Sequence, residues 1–301
     1  MIQILGLITL IILVFGALLG AGEGVAAALP FELLLIGGAA FGTLIVGNSS
    51  AVAAEALSGF WKVVRGPNWR QADYLAILVI LHTLTRRATM GGLVAIEEDI
   101  ERPAASPLFQ SAPRILADTG VRTLICDTFR LMALDLSDPQ RAEAAMTQQI
   151  DAHTDQRMRA AQALHTVADA LPALGIVAAV IGIIRAMGVI DQSPTVVGGM
   201  IAAALLGTFL GVFLAYGVVG PVATRFAQIV DEEDQRLHVV AAVLSAYASG
   251  VAPRTAIELG RAAIPDRVRP SADECAHALH AARFAGPSAQ KSAHLEARHG
   301  S

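Results

Sequence analysis

The sequence is poor in charged residues, aromatic residues and cysteine. Of its 301 residues, 16% are charged and 5% aromatic, whereas 54% are hydrophobic and the mean hydropathy is +0.55. A soluble domain ordinarily carries about 25% charged residues. The two cysteines are too few for a disulfide scaffold, and the net charge of −4 lacks the basic excess typical of nucleic-acid binders. The composition therefore excludes a disordered chain, a disulfide scaffold and a nucleic-acid-binding protein.

Positive charge is missing from long stretches, and the first 54 residues contain no Lys or Arg. Four apolar segments, with Arg185 as their only charge, are Ile2–Leu19, Leu33–Ala54, Leu171–Ile190 and Val196–Ala223. A helix that crosses a bilayer needs roughly 20 apolar residues. The sequence therefore predicts an all-α polytopic membrane protein with four transmembrane helices, in preference to a soluble protein with four buried helices.

The Lys and Arg residues indicate how the chain is oriented. Twelve of the 22 lie in Glu55–Ala170 and nine in Thr224–Ser301, whereas Gly20–Glu32 and Asp191–Thr195 contain none. Basic residues collect on the cytoplasmic side of membrane proteins. We therefore expect both long polar segments and both termini in the cytoplasm. The first segment lacks the basic start of a signal peptide, so we expect it to be retained as a helix.

The expected domain plan alternates membrane and cytoplasmic segments. Its parts are transmembrane helices 1 and 2 (1–54), a helical cytoplasmic domain (55–167), transmembrane helices 3 and 4 (168–223), a helical cytoplasmic extension (224–286) and a disordered tail (287–301). Both cysteines fall in the reducing cytoplasm under this plan, which predicts free thiols at Cys126 and Cys275.

The long cytoplasmic segment is expected to be helical. Apolar residues recur on one helix face at Tyr74, Ile77, Leu78, Leu81 and Leu84.

A further helix is expected over Arg114–Leu136. Another is expected to begin at Asp138, with this acid as its N-cap, and to continue without a break into the third span, because Gly and Pro are absent between Gln140 and Leu171.

Ionisable groups are expected to be missing from the membrane interior. The four predicted spans contain no Asp or Glu, and Arg185 lies near the end of the third. Because such groups mark ion paths, either the chain carries no ions or a partner supplies the carboxylate. The eight histidines lack metal-ligand spacing and no glycine-rich phosphate loop is present, so we expect no enzyme activity, metal or cofactor.

Small residues recur every four positions on two spans. They are Ala178, Gly182 and Ala186 on the third, and Ala203, Gly207, Gly211 and Ala215 on the fourth. This spacing lets helices approach closely, either within one chain or between subunits.

Three other positions suit an ion path, but each also has a structural interpretation. Thr208 lies beside the small-residue stripe, although a threonine in a membrane helix most often bonds to its own backbone. Pro172 begins the third span and Pro221 ends the fourth, where a proline can produce a tolerated kink or a hinge.

Several of these stretches resemble the stator A subunit (MotA) of the flagellar motor, in the MotA/TolQ/ExbB proton channel superfamily. The resemblance is dense in Leu171–Gly188 and Leu205–Ala223, and extends to Gly37–Ser50 and Ser111–Gly120. It covers about residues 1–270, including the four-span layout.

The resemblance implies a ring of five such subunits around two B subunits, each with one span that bears the ion-binding Asp and a peptidoglycan-binding domain. Ion flow through the bacterial inner membrane would turn the ring against a rotor switch-complex protein. Pro172 and Pro221 correspond to prolines tied to gating and torque, and Thr208 to a threonine that faces the ion path. Sodium-driven relatives have Thr where this chain has Ala179, which favours protons here.

The resemblance also implies a charged patch that contacts the rotor. Glu97 matches the acidic member, but the positions expected to be basic hold Thr89 and Met90. The nearest basic residues are Arg86 and Arg87. A solvated helix end is the alternative interpretation of this cluster.

Two other functions remain open. An energiser of outer-membrane processes like ExbB or TolQ would have three spans, and the charge-free hairpin Ile2–Ala54 argues against it. A membrane scaffold that carries no ions is the other alternative.

Overall fold

The protein is described by a computed structural model that covers residues 2–20, 23–66, 69–134 and 138–284. Regular structure in these ranges is helical, which confirms the all-α class. The tail predicted to be disordered, 287–301, lies outside the described residues.

The α-helices of the described residues follow one another along the chain. They are α1 (Ile2–Leu19), α2 (Glu23–Gly47), α3 (Ser50–Arg65), α4 (Gln71–Gly91), α5 (Glu97–Glu101), α6 (Pro107–Gln110), α7 (Pro113–Ala117), α8 (Thr119–Leu134), α9 (Pro139–Met187), α10 (Pro194–Phe213), α11 (Gly220–Ala248), α12 (Pro253–Ala262) and α13 (Ala272–Phe284). Short 3₁₀ turns span Leu93–Ile96 and Asp266–Val268, and a π-helical turn spans Leu214–Val219.

The chain forms two compact units. The apolar unit comprises Met1–Pro67 and Asp155–Glu232, and the polar unit comprises Asn68–Thr154 and Glu233–Ser301. Each unit is therefore built from two separate stretches of sequence.

Three helices in the described residues are long and apolar enough to cross a membrane. The first candidate span is Val25–Gly47, and the other two lie within Pro139–Met187 and Pro194–Ala248. α1 is also apolar, but its described apolar part, Leu5–Leu18, is shorter. Length and composition thus support an integral membrane protein with several spans.

The helix predicted as the second span lies earlier in the sequence than expected. α2 begins at Glu23 and ends at Gly47, and the Ser49 side chain caps the next helix by accepting a hydrogen bond from the Val52 N–H at 3.4 Å. A serine cap satisfies a backbone donor that the first turn of a helix leaves free, so it marks a new helix start. The predicted segment Leu33–Ala54 is therefore wrong at both ends.

α9 is one continuous helix of 49 residues, as predicted. The carboxylate of Asp138 caps it by accepting hydrogen bonds from the backbone N–H groups of Gln140 at 3.1 Å and Arg141 at 3.3 Å. Pro172 lies inside the helix without ending it. The proline removes one backbone donor, and the helix tolerates this loss.

The helix predicted as the fourth span contains a π-helical turn that was not predicted. α10 ends at Phe213, and the Gly220 N–H donates to the carbonyl oxygen of Ala215, five residues earlier. In an α-helix the ring of Pro221 would clash with the carbonyl four residues before it. A wider π turn directly before Pro221 is one way for a helix to accommodate a proline. The predicted path past Pro221 into a charged helix is confirmed by α11.

The polar unit is held together by large apolar side chains. The predicted face of α4 is buried, with Tyr74 at 2% exposure and Ile77, Leu78, Leu81 and Leu84 at 0%. Together with the aromatic rings of α6 and α8, these side chains form a core of the kind found in soluble helical domains.

The helix predicted over Arg114–Leu136 is interrupted. α7 ends at Ala117, and the carboxylate of Asp118 accepts a hydrogen bond from the Val121 N–H at 2.9 Å. Because an acidic side chain in this position caps a helix, α8 begins immediately afterwards.

Candidate ion path and rotor-contact residues

α9 and α10 approach each other to backbone contact. A methyl group on Gly211 would lie 2.7 Å from the carbonyl oxygen of Leu171 and 2.8 Å from Cα of Gly175. A methyl group on Gly182 would lie 2.6 Å from Cβ of Ala204. These distances are too short for atoms that do not share a bond, so glycine is required at both positions.

The contacts across this interface include four of the predicted small residues, Ala178, Gly182, Gly207 and Gly211. Ala204 faces Gly182 instead of the predicted Ala203. Gly207 and Gly211 on α10 and Ala215 in the π turn are buried, as are Ala178 and Ala186 on α9, whereas Ala203 and Gly182 are half-buried. The glycine contacts join two helices of the same chain. Packing within one chain, one of the two alternatives above, therefore accounts for these glycines.

Ala179 and Thr208 lie at the same level of this interface. A methyl group on Gly207 would lie 3.1 Å from Cβ of Ala178 and 3.4 Å from the backbone nitrogen of Ala179. Ala179 is 8% exposed, and Thr208, next to Gly207, is half-buried.

The hydroxyl of Thr208 differs from those of Thr9 on α1 and Thr43 on α2. Thr9 and Thr43 donate to the carbonyl oxygens four residues earlier, at 2.8 and 3.0 Å. Among the described residues, the Thr208 hydroxyl has no hydrogen-bond partner. The expected bond to its own backbone is therefore not formed, and the oxygen is available to a ligand.

The two prolines occupy different surroundings. Pro172 is half-buried and follows Leu171, whose carbonyl oxygen faces Gly211. Pro221 is exposed and directly follows the π turn. Pro172 therefore lies next to the close helix packing at Gly211, and Pro221 lies next to a turn with altered backbone hydrogen bonding.

The expectation that the spans contain no acid is wrong. Glu32 lies inside the candidate span Val25–Gly47 and is 5% exposed. Its Oε2 atom is buried and has no hydrogen-bond partner among the described residues, and a methyl group on Gly207 would lie 3.0 Å from it. Glu32 was missed because the predicted span starts one residue later, at Leu33. The apolar run before Pro30 was the signal that could have moved this boundary.

Two of the residues expected at the rotor contact, Arg87 and Glu97, differ in whether they form an ion pair. The guanidinium of Arg87 pairs with the carboxylate of Asp99 at 2.9 Å, and the Ser106 hydroxyl donates to the same carboxylate at 2.5 Å. Glu97, at the start of α5, is exposed, and no ion pair joins it to another described residue. Arg87 is therefore engaged in the structure of the polar unit, whereas Glu97 is accessible.

Arg86 belongs to a basic surface groove. The groove has a volume of about 280 Å³ and is lined by His82, Arg86, Arg254, Leu279 and His280, among others. Arg86 is half-buried there. Arg86 and Arg87 are the basic residues nearest the positions that are basic in the family. Arg87 forms an ion pair with Asp99, whereas Arg86 forms no ion pair with an acid among the described residues.

A buried cation network in the polar unit was not anticipated. The Arg236 side chain is 6% exposed and pairs with Asp118 at 3.0 Å and Asp234 at 3.2 Å. Its guanidinium and that of Arg114 lie 5.4 and 5.3 Å from the ring centre of Trp69. Arg114 and Asp118 both belong to the stretch Ser111–Gly120 that resembled the stator family, so this stretch has a structural role here.

The fold and the apolar helices define an integral membrane protein of the helical class. Residues 4–92 match the family model for the N-terminal region of motility protein A, and residues 116–238 match that of the MotA/TolQ/ExbB proton channel family. Motility protein A of Escherichia coli K12 is 36% identical over 90% of this chain and 92% of its own length. Chemotaxis protein LafT of Vibrio parahaemolyticus is 34% identical over 89% and 95%.

Two solved structures share the fold. The C. jejuni MotAB structure covers 89% of this chain and 98% of its own, with 18% identity and a TM-score of 0.67. The Bacillus subtilis MotAB stator complex covers the same shares, with 19% identity and a TM-score of 0.65. The chain belongs to the motility protein A family, within the MotA/TolQ/ExbB proton channel family. It is a stator subunit of the flagellar motor in the bacterial inner membrane, and not an enzyme.

Proposed function

We propose that this subunit forms a proton path with a single-span B subunit, and that the level of Ala179 and Thr208 faces this path. Four helices, α1 included, cross the membrane with both termini in the cytoplasm. Five copies surround two B subunits, which bind peptidoglycan and carry the Asp that binds the ion. Proton flow turns the ring and applies force to a rotor switch-complex protein.

The observation that carries this proposal is the unbonded hydroxyl of Thr208. A polar group that lacks a partner in an apolar environment is costly, whereas one that meets an ion, a water or a partner carboxyl is satisfied. The hydroxyl lies beside the glycine-lined contact of α9 with α10, so the backbone around it is held firmly. A fixed oxygen can position water or the partner's carboxyl without rearranging the helices.

The side chain of Ala179 supports protons as the transported ion. It offers no oxygen at the level of Thr208, where sodium-driven relatives have a second threonine. A sodium ion must replace its hydration shell with several oxygens, whereas a proton needs one acceptor and a chain of hydrogen bonds.

Pro172 and Pro221 are suited to gating. Pro172 leaves one backbone bond unmade within α9, and Pro221 follows the π turn, so the helices can bend there with little loss of hydrogen bonding. The match of residues 4–92 to the N-terminal motility protein A model supports a stator in preference to an ExbB-like energiser.

The rotor contact uses Glu97 as its acidic member and Arg86 as its basic member. Glu97 is exposed, and Arg86 borders the basic groove, whereas Arg87 is held by Asp99. Exposed charges of this kind guide association over a few ångströms and are screened by salt.

The transported ion can be identified by measuring the swimming speed of cells whose motor depends on this protein and its B subunit. We expect swimming to persist without sodium and to stop when a protonophore collapses the proton gradient. Swimming speed that follows sodium at constant proton potential would contradict the assignment of protons.

The role of Thr208 is tested by Thr208→Val, which removes the hydroxyl and keeps the shape. We expect motility to fall several-fold, while the amount of complex purified with the B subunit stays the same. Thr43→Val is the matched control, because the Thr43 hydroxyl is bonded within its own helix. Equal motility of the two variants would remove Thr208 from the path.

The rotor contact is tested by reversing the charge of Glu97. Glu97→Arg should reduce motility and be partly rescued by a reversed charge on the rotor protein. Glu98→Arg, at the exposed neighbouring position, is the control. If the Glu97 variant swims normally, the cluster is a solvated helix end.

A further inference from the structure

We infer that Glu32 is a proton-binding group of this subunit, which receives protons on their way to the carboxylate of the B subunit. The inference rests on the proposed proton path. It adds a titratable site on the ring subunit itself, at a position where the sequence analysis expected none.

The first support is the depth of the carboxyl group. Glu32 lies seven residues after Val25 in the candidate span, which places it about 10 Å along the helix from that end. Its side chain then reaches to Gly207, where a methyl group would lie 3.0 Å from Oε2. The same methyl group would meet Ala178 and Ala179, so the acid lies at the level of the proposed path.

The second support is the lack of any structural bond to this carboxyl. Glu32 is 5% exposed, and no described residue donates a hydrogen bond to Oε2. A role for Glu32 in packing alone is unfavourable, because a buried carboxylate without a partner costs free energy in a membrane. Titratable residues inside membrane helices ordinarily belong to ion paths or proton relays.

The third support is the charge that surrounds Glu32. Among the described residues, Arg185 on α9 is the charged side chain that acts on it electrostatically. Its guanidinium lies 4.8 Å from the ring centre of Phe31, the residue next to Glu32. The sequences of α1 and α10 contain no ionisable side chain. One cation near an isolated acid can steady the ionised form between two proton transfers without holding it permanently.

The transfer needs no oxidant or other co-reactant. A hydronium ion or water chain from the outer side gives a proton to the Glu32 carboxylate, which becomes a neutral carboxylic acid. The acid then passes the proton, directly or through water, to the carboxylate of the B subunit, and Glu32 is ionised again. A side chain at Gly207 would press on this carboxyl, since a methyl group there would lie 3.0 Å from Oε2.

The test measures proton flux and swimming with the complete stator complex. Glu32→Gln keeps the size and polarity of the side chain but removes its proton, so we expect flux into vesicles to fall at least about tenfold and its pH dependence to flatten. Glu32→Asp should retain part of the flux. Asp191→Asn, an exposed position in the connection before α10, is the control and should match the wild type.

The outcomes separate this inference from the proposed function. If the wild type conducts protons and Glu32→Gln conducts equally with the same pH profile, the inference is overturned while the function stands. If the wild type conducts no protons, the proposed function itself fails.

A second measurement applies if Glu32→Gln does not assemble. An apolar carbodiimide adds to protonated carboxyl groups, so Glu32 of the wild-type complex should be modified at a rate that falls as the pH rises, as mass spectrometry of its peptide would show. No modification between about pH 5 and about pH 9 would overturn the inference.

Discussion

The interiors of the two units are built in different ways. In the apolar unit, α9 and α10 meet through glycine and alanine, so close that a methyl group on Gly175 would lie 2.8 Å from the carbonyl oxygen of Gly207. In the polar unit, the interior is filled by large side chains such as Tyr74, Phe109 and Phe129. It also encloses the cation of Arg236 with two carboxylates.

This difference follows from the surroundings of each unit. Burying large apolar side chains stabilises a helix bundle in water, because it removes their surface from the solvent. Between helices in lipid this driving force is absent, and close backbone packing takes its place. The exposed apolar side chains on α9 and α10, including Ile176, Ile184 and Leu205, agree with such surroundings.

The largest expected effect comes from adding one methyl group to the glycine contact. Gly211→Ala should abolish motility and reduce the amount of folded complex in the membrane, because backbone atoms of Leu171 and Gly175 stand in its way. Gly198→Ala on the same helix is the control, since a methyl group there meets nothing within 4 Å. Normal motility and accumulation of the Gly211 variant would show that backbone contact does not hold these helices.

The next effect concerns the cation inside the polar unit. Arg236→Ala removes the buried guanidinium that the carboxylates of Asp118 and Asp234 share, so the free energy of unfolding should fall by about 3–5 kcal/mol. Arg141→Ala removes an exposed pair with Asp138 and should cost less than about 1 kcal/mol. Urea unfolding of the purified complex, followed by tryptophan fluorescence, compares the two variants. Equal stabilities would contradict the difference between buried and exposed pairs.

The smallest effect concerns a thiol in the same interior. Burial raises the pKa of the Cys126 thiol to about 11. The thiolate is the reactive form, so alkylation of Cys126 should accelerate about tenfold per pH unit from about pH 7 to about pH 10. A cysteine at the exposed position of Ser249→Cys should level off above about pH 9. A plateau for Cys126 near the ordinary thiol pKa would show that water reaches this interior.

The sequence determined most helices through periodicity and capping. The buried face of α4 followed from its spacing, and the unbroken course of α9 followed from the acid at Asp138 and the absence of breakers after it. Both patterns are local, so they can be read without knowing the partners of the helix.

The sequence was less informative where neighbours in space decide the outcome. The end of α2 depends on the cap at Ser49, which lies in a short polar run, Asn48–Ser50, between two apolar stretches. The π turn depends on how the chain accommodates Pro221. Ala204 faces Gly182 although the four-residue stripe favoured Ala203, because the contact depends on the rotation of α10.

In the candidate site, too, some residues were predicted from the sequence and others were found only in the structure. Ala179, Thr208 and the prolines were found from their resemblance to a family. Glu32 was missed because a single acid at a predicted helix border looks like part of a loop, and only the fold shows that it is buried against Gly207. The choice of Arg86 over Arg87 as the proposed basic residue of the rotor contact also depended on structure, because Arg87 pairs with Asp99 across the turn between α4 and α5.

The most direct test of the proton path is flux through the purified complex of this chain and its B subunit in sealed vesicles. An imposed pH gradient should drive proton entry at the same rate with and without sodium, and replacing the Asp of the B subunit by Asn should abolish it. Vesicles that remain proton-tight with the intact complex, or that conduct sodium instead, would contradict the account.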